Sequence, residues 1–146
     1  VVADIRNLPF EDESFEAVVA FEILEHLPWD QVPIALKQLH RVSKGPVIIS
    51  VPRKSLYFEM VLRFPLIKKI FRRTYLDFFC RIPFANFLKC PPYHEWEIGL
   101  HNYPLRKVQN KLRESFDIIK EVRPILNPLH HFFILHKRGP NAANQD

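Results

Sequence analysis

Residues 18–27, VVAFEILEHL, begin as an apolar stretch and turn polar within a few positions. Short apolar runs bounded by polar residues are typical of strands that are covered on both faces in a parallel sheet. We therefore predict a strand over Phe15–Phe21. Two carboxylates and an imidazole, those of Glu22, Glu25 and His26, follow where this strand ends. Such a cluster indicates the carboxyl edge of the sheet, where open α/β folds bind their ligands.

The residues on either side of this stretch predict alternating strands and helices. Val1–Ile5 has the composition of a strand end, and Asp30 is a plausible N-cap for a helix whose apolar face ends at Lys44-Gly45. A β-branched strand follows over Pro46–Val51. Strands that alternate with a helix of this length favour a doubly wound, Rossmann-like α/β fold with a mostly parallel sheet.

The C-terminal part predicts one more helix and a hairpin. The helix opens at Tyr103-Pro104-Leu105 and continues to about Ser115, and strands are expected over Phe116–Val122 and His131–His136. The two strands are joined by a connection too short for a crossover helix, so we expect them to be antiparallel. Residues 1–52 and 103–138 then form the sheet core of one incomplete domain (residues 1–138), followed by a disordered tail at residues 139–146.

Charge is distributed unevenly along the chain. Residues 1–40 hold eight acidic and two basic residues, whereas residues 53–90 hold nine basic and two acidic ones. Residues 53–102 are expected to be an insertion with an acceptor loop, and its Pro65–Ile82 stretch has the spacing of a basic amphipathic helix. The bases on one face of that helix are Lys68, Lys69, Arg72 and Arg73. This face is either solvated or in peripheral contact with an anionic membrane, and contact with nucleic acid is the less favoured alternative.

Three motifs, in order, resemble those of a known enzyme family. They are residues 4–16 (DIRNLPFEDESFE), residues 18–27 and residues 42–52 (VSKGPVIISVP). They are similar to the later motifs of class I S-adenosylmethionine-dependent methyltransferases of the methyltransferase-11 type. The resemblance is close over residues 1–52 and extends to residues 103–138 in layout. It implies S-adenosyl-L-methionine as cofactor and methyl transfer to an unidentified acceptor, a small or lipid-like molecule.

The resemblance also implies roles for five residues at the cofactor site. Asp4 matches the acid that receives the adenine amino group, and Ile5 matches the neighbour that packs on the adenine ring. Phe21 and Glu22 match the residues that border the methionine half of the cofactor. His26 matches the histidine of the "LEH" element close to the pocket.

One part of the family pattern is absent. The three glycines stand alone, so the chain contains no glycine-rich loop that could cradle a cofactor. In the family, that loop and the acid that holds the ribose precede the position of Asp4. We therefore expect a C-terminal fragment of a longer enzyme that binds the cofactor weakly or not at all and is inactive alone. The alternative is a non-catalytic methyltransferase-like module that binds a membrane surface or a partner through the basic helix.

Catalytic and metal-binding residues are weakly indicated. Methyl transfer depends mainly on alignment, and a general base is needed only when the acceptor must lose a proton. Glu22, Glu25 and His26 are candidates for that base. For Glu22 a place in the pocket wall is the better interpretation, and for His26 a role in fixing the turn. In residues 94–101 (HEWEIGLH), His94, Glu97 and His101 have helical spacing, but nearby prolines and Gly99 disfavour a helix. We expect a loop over the cofactor there, and no metal.

Length and composition exclude several other classes. The uncharged apolar runs are far shorter than the roughly 20 residues needed to cross a bilayer, and no secretion leader opens the chain. Two cysteines, Cys80 and Cys90, are too few for a disulfide framework. We expect a cytoplasmic protein, with peripheral association at a membrane as the alternative.

Overall fold

A computed structural model describes residues 1–54, 56–62, 76–82, 90–124, 127 and 129–138. Residues 56–62 and 76–82 are described by their backbone alone. A single turn of 3₁₀ helix spans Leu24–His26. The helices are α1 (Val32–Val42) and α2 (Leu105–Arg113), and the strands are β1 (Val18–Phe21), β2 (Val47–Pro52), β3 (Leu56–Leu62), β4 (Leu76–Ile82), β5 (Phe116–Val122) and β6 (His130–Lys137).

The central sheet has four strands in the order β1-β2-β6-β5. Strands β1 and β2 are parallel, with Val18 opposite Val47 and Phe21 opposite Ser50. Strand β6 is antiparallel to both β2 and β5. Three of the four strands thus run in one direction and β6 opposes them. This confirms the expected α/β fold with its antiparallel C-terminal hairpin.

The core forms on one face of β2 and β6. Val47, Ile49 and Val51 are buried on β2, and their partners on β6 are Leu135, Phe133 and His131. Side chains alternate between the two faces of a strand, so these six lie on the same face. Buried residues of α1 and α2 pack on it, namely Ala35, Leu36, Leu39, Val108 and Leu112, together with Trp96 and Ile98 from the loop before α2.

Three boundaries near the N-terminus differ from the sequence predictions. Val1–Ala3 form no strand, since no described strand pairs with them and they remain exposed. Strand β1 begins at Val18 rather than at Phe15. Phe15 makes only an isolated β-bridge to Ser43. The N-cap of α1 is Gln31 and not Asp30. Pro33 lies in the first turn of α1, where a residue without an N–H is tolerated.

The predicted basic helix is wrong over its last seven residues. Leu76–Ile82 form strand β4, which pairs antiparallel with β3 in a separate two-stranded sheet. The segment is rich in aromatic and branched residues that favour strands, and β3 supplies the backbone partners that a strand needs. The remainder of the predicted helix, with Lys68, Lys69, Arg72 and Arg73, lies outside the described residues.

The chain leaves the central sheet and returns to it at one point. The N–H of Lys54 donates to the Ile98 carbonyl at 2.8 Å, and the N–H of Ile98 donates to the Pro52 carbonyl at 3.1 Å. Gly99 has a φ of 95°, and a Cβ there would lie 2.7 Å from the Lys54 carbonyl oxygen. We call this paired region, residues 52–54 and 97–99, the neck of the insertion.

Over the described part of the chain, neither helix combines the length and the apolar character that a membrane span requires.

Candidate functional site

An apolar cleft lies beside β1, the edge strand of the central sheet. Its volume is about 350 Å³, within the range of small-molecule pockets. The lining residues include Ile5, Leu8, Val19 and Ile23. Val19 is 54% exposed, and no other described strand pairs with the outer edge of β1. The cleft therefore presents apolar surface to solvent along β1, and Ile23 lines it beyond the carboxyl end of the strand.

Glu22 ends β1 in an unusual backbone conformation. Its φ is 51°, in the left-handed region that few residues other than glycine adopt. Ser50 on β2 holds it there: the Glu22 N–H donates to the Ser50 carbonyl at 3.2 Å, and the Ser50 hydroxyl donates to the Glu22 carboxylate at 2.6 Å. Nε2 of His130 lies 3.7 Å from the other carboxylate oxygen. The carboxylate is thus fixed at the edge of the two parallel strands.

The other residues implied for a cofactor lie around this point. Ile5 lines the cleft, whereas Asp4, Phe21, Glu22 and His26 do not line it. Asp4 accepts two hydrogen bonds from Nε of Arg6, at 2.9 and 3.0 Å, and pairs with its terminal nitrogen. These contacts lower the pKa of Asp4 to about 2. Phe21 is half exposed, and its ring packs edge-on against Phe132 at 5.7 Å.

Glu25, in the 3₁₀ turn after β1, is completely buried. Among the described residues, neither of its carboxylate oxygens has a hydrogen-bond partner. Burial raises the pKa of Glu25 to about 6, and the charge of Glu22 contributes to the rise. Nε2 of His26 is 3.9 Å from the nearer oxygen of Glu25, too far for a hydrogen bond.

The loop that contains His94 closes over Glu25 and His26. The N–H of Glu95 donates to the Glu25 carbonyl at 2.8 Å, and Nδ1 of His26 donates to the Tyr93 carbonyl at 2.8 Å. The rings of His26 and His94 meet edge to face at 4.9 Å. Of these contacts, the sequence had indicated only that His26 bonds to nearby backbone.

The loop is not helical, in agreement with the sequence analysis, so His94, Glu97 and His101 do not form one helical face. Nδ1 of His94 lies 2.6 Å from the carboxylate of buried Glu97, whose other oxygen lies 3.3 Å from Nζ of Lys54. His101 is exposed. Of these three residues, His94 and Glu97 are therefore in contact.

Two residues at the site were not anticipated. Ser50 could have been found from the predicted parallel strands, because the residue after the apolar part of β2 falls opposite the end of β1. His130 reaches Glu22 because β6 lies beside β2. No feature of the sequence indicates that contact.

The first 49 residues match the model of a protein family described as "Methyltransferase domain". A search of curated protein sequences found no match.

Solved structures show the same fold at low sequence identity. An S-adenosylmethionine-dependent methyltransferase of Clostridium acetobutylicum is 12% identical, with a TM-score of 0.57 and coverage of 95% of this chain and 64% of that one. The 1,6-didemethyltoxoflavin-N1-methyltransferase of Burkholderia thailandensis is 15% identical, with a TM-score of 0.56 and coverage of 95% and 50%. The magnesium protoporphyrin IX methyltransferase of Synechocystis is 13% identical, with a TM-score of 0.52 and coverage of 93% and 49%.

The chain spans between 49% and 64% of the length of these three structures. The shared fold includes the central sheet and both helices, and the family match covers the segment that contains β1, α1 and Glu22. The chain has the fold of these methyltransferase structures, and its residues 1–49 resemble the methyltransferase domain family.

Proposed function

We propose that this protein is an S-adenosylmethionine-dependent methyltransferase and that the described residues form one side of its cofactor site. The observation that supports this most directly is the Glu22 carboxylate, held by Ser50 beside an apolar cleft at the carboxyl edge of two parallel strands. That arrangement lies within residues 1–52, where the family resemblance is closest. The solved structures of the Burkholderia and Synechocystis enzymes contain S-adenosylhomocysteine, the demethylated cofactor.

The chemistry of the site suits the two halves of this cofactor. The cleft with Ile5 offers apolar surface for the adenine ring. Asp4 offers a carboxylate for the adenine amino group, and a carboxylate has lone pairs left after binding one arginine. Glu22 provides a fixed negative charge for the ammonium and sulfonium groups of the methionine half, beside the exposed ring of Phe21.

The role of the protein in the reaction is then mainly to position its ligands. The bound cofactor supplies an activated methyl group, so alignment of the acceptor provides much of the rate. Because the Glu22 carboxylate already accepts a hydrogen bond from Ser50, Glu22 suits a positioning role at the cofactor better than the role of a base. Nδ1 of His26 donates a hydrogen bond to a backbone carbonyl. This contact suits a role in fixing the turn better than the role of a base.

A small molecule is the acceptor that the comparisons support best. The Burkholderia structure contains 1,6-didemethyltoxoflavin, and the Synechocystis enzyme is named for magnesium protoporphyrin IX. A small aromatic molecule would suit a loop with aromatic side chains such as residues 93–103. A lipid-like acceptor remains an alternative that depends on the basic segment.

The test is a site-resolved binding measurement on the 146-residue chain. Amide NMR spectra would be recorded with and without S-adenosylhomocysteine, because this method detects weak binding. We expect shifts at the amides of Ile5, Phe21, Glu22 and Ile23, and none along β5. Adenosine and methionine, added separately, should shift the cleft and the Glu22 region respectively.

A Glu22→Gln variant should lose most of the methionine-dependent shifts and keep those caused by adenosine. A Glu121→Gln variant on β5 serves as the matched control. Methionine-dependent shifts that are equal in the parent and Glu22→Gln chains would overturn the proposal and favour the non-catalytic module instead.

A further inference from the structure

Three side chains from two distant segments meet beside the end of β1. Glu25 and His26 lie in the 3₁₀ turn, and His94 lies in the loop that covers it. One ligand atom from each of the three lies within 4.8 Å of the other two. The group is separate from the apolar cleft, whose lining includes none of the three.

The Glu25 carboxylate lacks the partners that a buried charged group requires. It is fully buried, and neither oxygen is hydrogen bonded among the described residues. Buried carboxylates in folded proteins are almost always hydrogen bonded, ion paired or bound to a metal. His26 lies too far away to serve as a hydrogen-bond partner, at 3.9 Å.

Both imidazoles are oriented so that a nitrogen lone pair remains available. Nδ1 of His26 faces the Tyr93 carbonyl and Nδ1 of His94 faces the Glu97 carboxylate, and both oxygens are acceptors only. Each Nδ1 must therefore carry the proton, which leaves Nε2 as an acceptor in the neutral ring. Histidines that bind metals characteristically donate their second N–H to a carbonyl or carboxylate in this way.

From this geometry we propose that Glu25, His26 and His94 form a binding site for a divalent transition-metal ion. The ligand atoms are a carboxylate oxygen of Glu25 and Nε2 of each histidine. Two imidazoles and one carboxylate suit Zn²⁺, Fe²⁺, Co²⁺ or Mn²⁺ better than Ca²⁺ or Mg²⁺, which prefer oxygen ligands. Three protein ligands leave at least one coordination position open for water or an oxygen atom of another molecule.

The distances require only a small adjustment on binding. Ligand atoms around a tetrahedral ion at about 2.1 Å lie roughly 3.4 Å apart. The separations here exceed this by on the order of 1 Å, and rotation of the half-exposed His26 side chain can close the difference. Glu97 and Lys54 hold His94 in place from the opposite side.

The test is titration of the metal-free chain with Co²⁺ alone, in the absence of any cofactor. Trp96, two residues from His94, reports binding through quenching of its fluorescence, and visible absorption bands report the geometry of the bound ion. We expect one ion per chain. Glu25→Gln, His26→Gln and His94→Gln should each weaken binding by more than about 100-fold, and Glu97→Gln by about 10- to 100-fold.

The matched controls are His101→Gln and His136→Gln, which replace exposed histidines outside the group. Both should bind Co²⁺ as the parent chain does. Far-ultraviolet circular dichroism would establish that each variant is folded. If one ligand variant does not fold, the other two test the proposal. Glu25→Gln keeps the shape of the buried side chain, so we expect this variant to fold. Equal affinity in parent and Glu25→Gln chains, or an equal loss in His101→Gln, would overturn the proposal.

Discussion

The hydroxyl of Ser50 on β2 donates a 2.6 Å hydrogen bond to the carboxylate of Glu22 at the end of β1, and its oxygen accepts the Glu22 N–H at 3.1 Å. One serine thus holds both the backbone and the side chain of a residue in the left-handed region. Since the two strands are parallel and in register at this point, the position of the carboxylate is set by the sheet itself.

A Ser50→Ala substitution should release this constraint. A hydrogen bond to a charged group contributes about 1.5–3 kcal/mol, and Glu22 is only partly buried, so we expect a loss of about 1–2 kcal/mol in the free energy of unfolding. Urea denaturation would measure it. Ser14→Ala, at an exposed loop residue, is the control. An unchanged midpoint for Ser50→Ala would show that β1 ends at Glu22 for another reason.

Glu25 should make the metal-free protein less stable as the pH rises. Its pKa is raised from 4.5 to about 6 by burial, and the neighbouring ionisable groups are those of Glu22, His26 and His94. The folded state therefore binds the proton more tightly than the unfolded state, and stability falls as the pH rises from 4.5 to 6. The rise in pKa corresponds to about 2 kcal/mol at pH 7.

A Glu25→Gln variant should recover most of that free energy at pH 7 and match the parent chain below pH 4.5. Denaturation in a chelating buffer across this range would measure the difference, with Glu114→Gln as the exposed control. A Glu25→Gln chain that is less stable than the parent at pH 7 would contradict the expectation.

Gly45 permits a close approach between the end of α1 and the loop before β1. A Cβ at this position would lie 2.2 Å from the carbonyl oxygen of Glu16, a backbone atom that cannot move freely. We expect Gly45→Ala to lower the free energy of unfolding by about 1–3 kcal/mol, as overpacking does elsewhere. The control is Lys44→Ala, which removes an exposed ion pair with Glu16 and should cost under about 1 kcal/mol. Equal effects of the two substitutions would count against the close contact.

The basic segment yields a prediction that depends on sequence alone. If Lys68, Lys69, Arg72 and Arg73 contact an anionic membrane, the chain should sediment with anionic liposomes at low salt and dissociate as salt is added. A variant with all four charges reversed should not sediment. Neutral liposomes provide the control, and identical behaviour of the two proteins would remove the electrostatic explanation.

The order of strands and helices in the central sheet could be predicted because local composition and tertiary context agree there. Val47–Val51 is β-branched and buried, and the short connection before His130 allows only a hairpin. The prediction of a helix over Leu76–Ile82 was wrong. The aromatic residues of this segment are compatible with the spacing of either a helix or a strand, and only the pairing with β3 decides between the two. The first part of the predicted helix, residues 65–75, lies outside the described residues.

The candidate site was predictable only in part, for a similar reason. Glu22 follows a buried strand, so its place at the sheet edge could be deduced from the sequence. The meeting of Glu25 with His94 could not, because it depends on how a long loop folds back over the 3₁₀ turn. Complete burial of Glu25 is also a tertiary property, and a glutamate in that position looks exposed in the sequence.

The neck of the insertion has a consequence for how such a protein can change over evolutionary time. Residues 52–54 and 97–99 are joined by backbone hydrogen bonds, so the segment between them is closed at its base whatever its length. Doubling the length of a closed segment costs only about 0.6 kcal/mol in entropy. Selection can therefore lengthen, shorten or exchange the segment while β1, Ser50 and Glu22 keep their positions.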